Sequence, residues 1–258
     1  MRYAGMGERS IALSVFDDTA ALYTAAAAHI AAAADDALAR RGRFLLVLAG
    51  GSTPRGAYER LASREWGEDA LHRMHIFWGD ERCVPPHHPE SNYGMADASL
   101  LRHLTIPSGN VHRIRGEDAA EIAAARYDAE LAEFFGRSTP DDPDNASTFD
   151  LVLLGLGVDG HTASLFPGSP ALEAKGWAAA TVAPDSAEIA QRVTLTLPAL
   201  NSARECLFLV SGASKRHAVR LVLGGEGNRF EAPLLPAARV APRGPNRWFV
   251  DAAAAEGL

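Results

Sequence analysis

The segment Gly155-Leu156-Gly157-Val158-Asp159-Gly160-His161 sets an imidazole two residues from a carboxylate, in a stretch where three glycines allow an open, close-approaching backbone. An imidazole with an ordinary pKa of roughly 6.5 suits general acid–base chemistry at neutral pH. A neighbouring carboxylate can orient the ring and raise its basicity. The competing reading is a histidine satisfied within the structure. The Gly-x-Gly is not a dinucleotide fingerprint, because Asp159 and His161 occupy the end where a pyrophosphate would approach.

Three other segments carry groups suited to an anion. Gly50-Gly51-Ser52-Thr53-Pro54 stands between an apolar run and a helical one. Glycines there let the backbone approach an anion, a helix start supplies unpaired N–H groups, and Ser52 and Thr53 add hydroxyls. No Gly-Lys-Ser/Thr follows, so it is not a P-loop; the alternative is a tight turn whose Ser or Thr caps the helix. Asp80-Glu81-Arg82 follows an apolar strand. Arg82 suits bidentate contact with phosphate or carboxylate, and an acid beside it can orient it or act as a base; otherwise the segment is a charged surface turn. Ser211-Gly212-Ala213-Ser214-Lys215 reads as a strand-to-helix junction. Lys215, one turn into that helix, can hold a second phosphate charge or be an ordinary exposed lysine. His87-His88 lacks a nearby second set of metal ligands, and neither Cys83 nor Cys206 sits in a nucleophile motif. A Gly-x-Ser-x-Gly elbow is absent, which weakens a serine-hydrolase reading.

The elements that must position these groups follow from hydrophobic periodicity. Residues 43–51, 74–80, 149–157 and 206–212 are apolar runs of the kind buried on both faces, each ending in one of the polar segments above. Residues 10–16, 111–114, 192–197 and 246–251 read as further strands. Helices are expected over Thr19 to Arg40, capped by Asp17 or Asp18, and over Arg55 to Ser63, Ser91 to Leu101 and Asp118 to Phe135. The pattern implies an α/β fold with a mostly parallel sheet covered by helices on both faces, in one domain over 1–258. Residues 139–148 read as a surface loop. Ligands of such sheets bind outside the carboxyl ends of the strands, where the four polar segments can converge.

Composition narrows the partners. With 25 Lys plus Arg against 32 Asp plus Glu, the 258 residues carry a net charge of −7. That argues against broad electrostatic binding of nucleic acid or anionic membranes while leaving room for a local basic pocket. Two cysteines far apart suggest a reducing compartment. The alanine-rich stretch over residues 19–34 is too short and too weakly apolar to span a bilayer, and the first ten residues show no apolar signal core. A cytoplasmic protein, monomeric or a small homo-oligomer, is expected.

Taken in order, LAGGSTPRGAYERLA, FWGDERCVPPHHPESNYGMA, LVLLGLGVDGHTASLFPGS, RVTLTLPALNSA and FLVSGASKR closely resemble the 6-phosphogluconolactonase family of the glucosamine-6-phosphate deaminase/isomerase superfamily. The resemblance runs from about residue 48 to 216, with the flanking elements fitting as well. It implies a modified Rossmann-like fold, hydrolysis of 6-phospho-D-glucono-1,5-lactone, and neither metal nor organic cofactor. It implies His161 as the base that activates water and Asp159 as the group that orients His161. Arg82 and Lys215 would bind the 6-phosphate with donors from Gly51, Ser52 and Thr53. Asp80 would line the pocket and position Arg82 or sugar hydroxyls, and Arg192 would face the site. Amides over residues 157–161 are the expected oxyanion donors.

Two other functions are weighed against this one. An amino-sugar-phosphate deaminase/isomerase of the same superfamily shares the glycine loop and the Asp-Gly-His loop. Its acid shortly after the histidine is missing here, where Glu173 is the next one. A non-catalytic sugar-phosphate sensor would show a DNA-binding appendage or lost acid–base residues, and neither is evident.

Overall fold

The computed structural model describes residues 2–3, 11–141, 148–184, 187–224 and 235–258. Along the chain run β1 (Arg2–Tyr3), β2 (Ile11–Phe16), α1 (Thr19–Arg41), β3 (Phe44–Leu48), α2 (Ser52–Ala62), α3 (Glu68–His72), β4 (Met74–Trp78), β5 (Asp80–Arg82), α4 (Asn92–Ser99), β6 (Val111–His112) and α5 (Ala120–Phe135). They are followed by β7 (Leu151–Leu154), β8 (Ala178–Val182), β9 (Gln191–Leu195), α6 (Leu197–Ser202), β10 (Cys206–Val210), α7 (Arg216–Leu223), β11 (Asn246–Asp251) and α8 (Ala252–Ala255).

The main sheet has the order β1-β2-β11-β10-β7-β3-β4-β6 and is parallel except for the β1–β2 pair at its edge. Every residue of β3, β7 and β10 is buried. Successive strand residues point to opposite faces, so unbroken burial means that both faces are covered. This is the expected architecture. α1 shows why its sequence folds as it does: the Asp18 carboxylate accepts from the Ala21 amide at the start, and Gly42, at φ +73°, ends it with its N–H on the Leu38 carbonyl.

A second sheet, β5-β9-β8, is antiparallel throughout. Asp80-Glu81-Arg82 is thus a strand, which removes its surface-turn alternative, and the strand expected over 192–197 is β9 of this small sheet. Strand β8, with its run of alanines, has no periodicity that marks it. The predicted surface loop at 139–148 and the first residue of the strand at 10–16 fall partly outside the described residues. No helix among the described residues is long and apolar enough to cross a membrane.

Two buried tyrosines fix the strand ends that lead into the polar segments. The Tyr58 hydroxyl on α2 accepts from the Ala49 amide and donates to its carbonyl, each at 2.9 Å. The Tyr127 hydroxyl on α5 does the same at Trp78, at 3.1 Å each. Backbone groups that leave the ladder at the ends of β3 and β4 are thereby satisfied without water.

At the opposite end of β4, His75 Nδ1 lies 3.1 Å from His112 Nε2, and His112 Nδ1 lies 2.8 Å from a Glu130 oxygen. Burial, then His112 and Arg43, pull the His75 pKa down from 6.5 to about 4. A depressed histidine stabilises the fold fully above its unfolded pKa and loses that contribution as pH falls through the folded value. Thermal unfolding should therefore show a loss between pH 6.5 and 4, of which His75 supplies about 2 kcal/mol after discounting for its partial exposure. His75→Gln should shrink that loss. An equal pH dependence in the two proteins would remove His75 as its source.

Candidate active site

The chain steps outward from β3 to β4 and β6 on one side, and from β7 to β10 and β11 on the other. Strand order therefore reverses between β3 and β7, and a crevice opens there outside the carboxyl ends of an open parallel sheet. A cleft of about 590 Å³ occupies this place. Of the expected residues, Gly51, Asp80, Arg82, Asp159, His161, Arg192 and Lys215 line it.

The loop after β7 is built around the acid–base pair. His161 Nδ1 lies 2.6 Å from Asp159 Oδ1, and the same oxygen accepts the His161 amide at 3.1 Å. Burial disfavours the Asp159 carboxylate, but the hydrogen bonds and charge of His161 outweigh it and hold the carboxyl below its ordinary range. An ionised carboxylate only accepts, so in the neutral ring the proton sits on Nδ1 and the lone pair on Nε2. Phe166 lies against the ring, with centroids 4.7 Å apart. A Cβ on Gly157 would come within 2.1 Å of His161 Nδ1 and 2.6 Å of Asp159 Oδ1, so the pair folds onto a glycine backbone. Three of the five expected oxyanion donors already have partners within the loop. The Gly157 amide donates to the His161 carbonyl at 2.8 Å, the Gly160 amide to Gly157, and the His161 amide to Asp159.

Strand β5 forms a second wall, on which Arg82 stands in register opposite Arg192 of β9. Like charges directly opposed on a sheet repel. Burial, followed by Arg82, lowers the Arg192 pKa. Arg82 donates to the Glu90 carbonyl at 2.7 Å and lies 3.8 Å from the Glu90 carboxylate, while Arg192 donates to the Ile189 carbonyl at 2.9 Å. Of the two roles expected of Asp80, the contact with Arg82 is not made: its carboxylate accepts from Ser164 at 2.6 Å and from Asn92 at 3.1 Å.

The third wall joins the loops after β3 and β10. Helix α2 begins at Ser52, three residues earlier than expected, with Gly51 at φ +97° as its cap and no side chain bonding its first amides. Ser52 and Thr53 therefore do not cap it. Ser52 is exposed, and Thr53 Oγ1 meets Ser211 Oγ at 2.7 Å, tying the two loops together. A helix start with no side-chain cap favours an anion. Lys215 is the residue before α7, reached through a short 3-10 turn, rather than one turn inside the helix. Half-burial pushes its ammonium pKa down, and the Asp159 charge opposes that shift.

Asn92, Ser164 and Phe166 are site residues that the sequence reading missed. Ser164 and Phe166 stand just past the histidine, but only the register of β5 on β9 brings Ser164 to Asp80. His87 and His88 line a separate cleft beside α2 and α4. Burial pushes the Cys83 thiol up to about 11, which suits a structural cysteine. No group of three His, Cys, Asp or Glu among the described residues is placed to hold a metal ion.

An acid–base pair flanked by three cationic side chains and a helix start, at the switch point of a doubly wound sheet, defines an enzyme class that handles small anionic metabolites. Residues 17–249 match the family described as glucosamine-6-phosphate isomerases/6-phosphogluconolactonase, and the chain belongs to that family. The chain is similar to a 6-phosphogluconolactonase of Synechocystis, 41% identical over 223 residues, which cover 86% of this chain and 88% of the relative. A human 6-phosphogluconolactonase is 38% identical over 250 residues, covering 95% of this chain and 93% of the relative. The solved structure of 6-phosphogluconolactonase from Trypanosoma brucei superposes with a TM-score of 0.81 at 29% identity, over 96% of this chain and 98% of that one.

Gly157→Ala should displace the His161–Asp159 pair and lower turnover by about 100-fold, the usual effect of misplacing a reacting group by an ångström. Circular dichroism should show the fold retained. Unchanged turnover would mean that the loop accommodates a Cβ without moving the pair.

Proposed function

We infer that the chain hydrolyses 6-phospho-D-glucono-1,5-lactone to 6-phospho-D-gluconate. The observation that carries this is the 2.6 Å His161–Asp159 pair in one cleft with Arg82, Arg192 and Lys215. The substrate's dianionic phosphate needs local positive charge within a net acidic protein, and its lactone needs a base for water.

In this mechanism His161 Nε2 takes a proton from water as the water oxygen attacks the lactone carbonyl carbon. Asp159 stabilises the imidazolium that forms. The tetrahedral intermediate collapses by breaking the bond to the ring oxygen, which receives the proton back from His161. One water is added, and a carboxylic acid and a hydroxyl result. Arg82 and Lys215 bind the phosphate in the cleft they share with Gly51, where Ser52 and Thr53 offer further donors. Arg192 adds charge beside Arg82, and Asp80, held by Ser164 and Asn92, accepts from sugar hydroxyls. Binding the remote phosphate positions the carbonyl at His161, so the handle assists turnover as well as capture. A lactone is an activated ester, and neither covalent nucleophile nor metal is called for. The two free thiols suit a reducing compartment such as the cytoplasm.

Lactone hydrolysis by the purified protein, corrected for the spontaneous reaction, should be fast. His161→Ala should lower kcat by about 10²- to 10⁴-fold with little change in KM. Lys215→Ala should chiefly raise KM, by about 10-fold or more for a charge-assisted contact. The reverse split would overturn these roles. Rapid ammonia release from glucosamine 6-phosphate, with no lactone turnover, would move the chain to the deaminase branch.

A further inference from the structure

Glu81 lies between Asp80 and Arg82, on the face of β5 turned away from the cleft, and it is 2% exposed. Its Oε1 accepts the amides of Arg82 at 2.8 Å and Asn92 at 2.7 Å. Its Oε2 accepts the Tyr93 amide at 2.7 Å and the Ser91 hydroxyl at 3.1 Å. Among the described residues no basic side chain lies within ion-pair distance of it. A carboxylate buried without a counter-ion is costly even when its oxygens are hydrogen-bonded. Two of these donors, the Asn92 and Tyr93 amides, are the first of α4, so Glu81 serves that helix start together with Ser91, whose hydroxyl accepts the Gly94 amide.

Beyond that, the carboxylate joins the backbone of two cleft residues from different elements. Arg82 follows it on β5, and Asn92 opens α4. Asn92 in turn donates to both the carbonyl and the carboxylate of Asp80, at 2.8 and 3.1 Å. Glu81 thus closes a ring through Asn92 and Asp80 that sets where β5 leaves the main sheet, and so where Arg82 emerges. Gly116 seals the outer side, since a Cβ there would meet the Arg82 carbonyl at 2.4 Å, the Val84 carbonyl at 2.8 Å and Glu81 Cγ at 3.3 Å.

We propose that Glu81 is a positioning residue for phosphate recognition, acting through Arg82 by pinning the β5–α4 corner from behind the cleft. The proposal rests on the lactonase reading above. It predicts a split between KM and kcat that general loosening of the fold does not give.

Glu81→Gln keeps the volume but turns one acceptor into a donor. It should raise KM for 6-phosphogluconolactone by about 10-fold while kcat stays within about 3-fold. In an Arg82→Ala background the same change should add nothing further, because the two act in series. A fall in kcat at unchanged KM, or losses that add in the double variant, would overturn the proposal. If Glu81→Gln does not fold, Glu81→Asp replaces it; a smaller rise in KM supports the proposal and an unchanged KM overturns it. Should the native protein not turn over the lactone, the lactonase reading fails by itself. Calorimetric binding of 6-phosphogluconate then decides on Glu81: weaker binding by the variant sustains its role and equal binding refutes it.

Discussion

The hydrogen bond between His161 Nδ1 and Asp159 Oδ1, 2.6 Å long, is the interaction around which the molecule is arranged. It exists only because Gly157 leaves room for both side chains and Gly160, at φ +81°, turns the chain back on itself. That loop needs a rigid base, which the fully buried β7 at the centre of the sheet supplies. An imidazole 32% exposed, with one nitrogen engaged and the other toward the cleft, is the expected form of a base that must meet water and substrate.

Charge is the second constraint. The chain is acidic as a whole, yet its cleft collects two arginines and a lysine. Their mutual repulsion and partial desolvation disfavour the empty site. Arg192 and Lys215 both have pKa values pulled down, burial being the largest cause in each. A bound dianion would relieve both penalties, which is the physical basis of the phosphate-binding role proposed for these groups. The main sheet supplies the catalytic loop, while the small antiparallel sheet carries the opposed arginines to it.

Much of this was legible in the sequence, and the reasons are specific. Strands β3, β7 and β10 are buried on both faces and read as unbroken apolar runs, β4 is interrupted only by His75, and polar segments stand at their ends. The Asp159–His161 pair is local, two residues apart, so its geometry follows from the glycines around it. What the sequence hid is long-range. The pairing of Arg82 with Arg192 spans over a hundred positions and depends on the β5–β9 register. Asp80 meets Ser164 through the same register, because Thr194, paired with Asp80, also accepts the Ser164 amide. The carbonyl partners that take up the Gly157 and Gly160 amides leave no trace in residue type. The start of α2 was misplaced because a proline inside its first turn resembles a boundary.

The most direct test is of the proton itself. Nitrogen-15 spectra of the imidazoles, with His161 assigned by comparison with His161→Gln, report which ring nitrogen is protonated in the neutral form. With Asp159 as the acceptor, His161 carries its proton on Nδ1 and an unprotonated Nε2 faces the cleft, and Asp159→Asn disturbs that preference. A neutral His161 protonated on Nε2 in the native protein, and unaffected by Asp159→Asn, would contradict the central claim that this pair is the water-activating base.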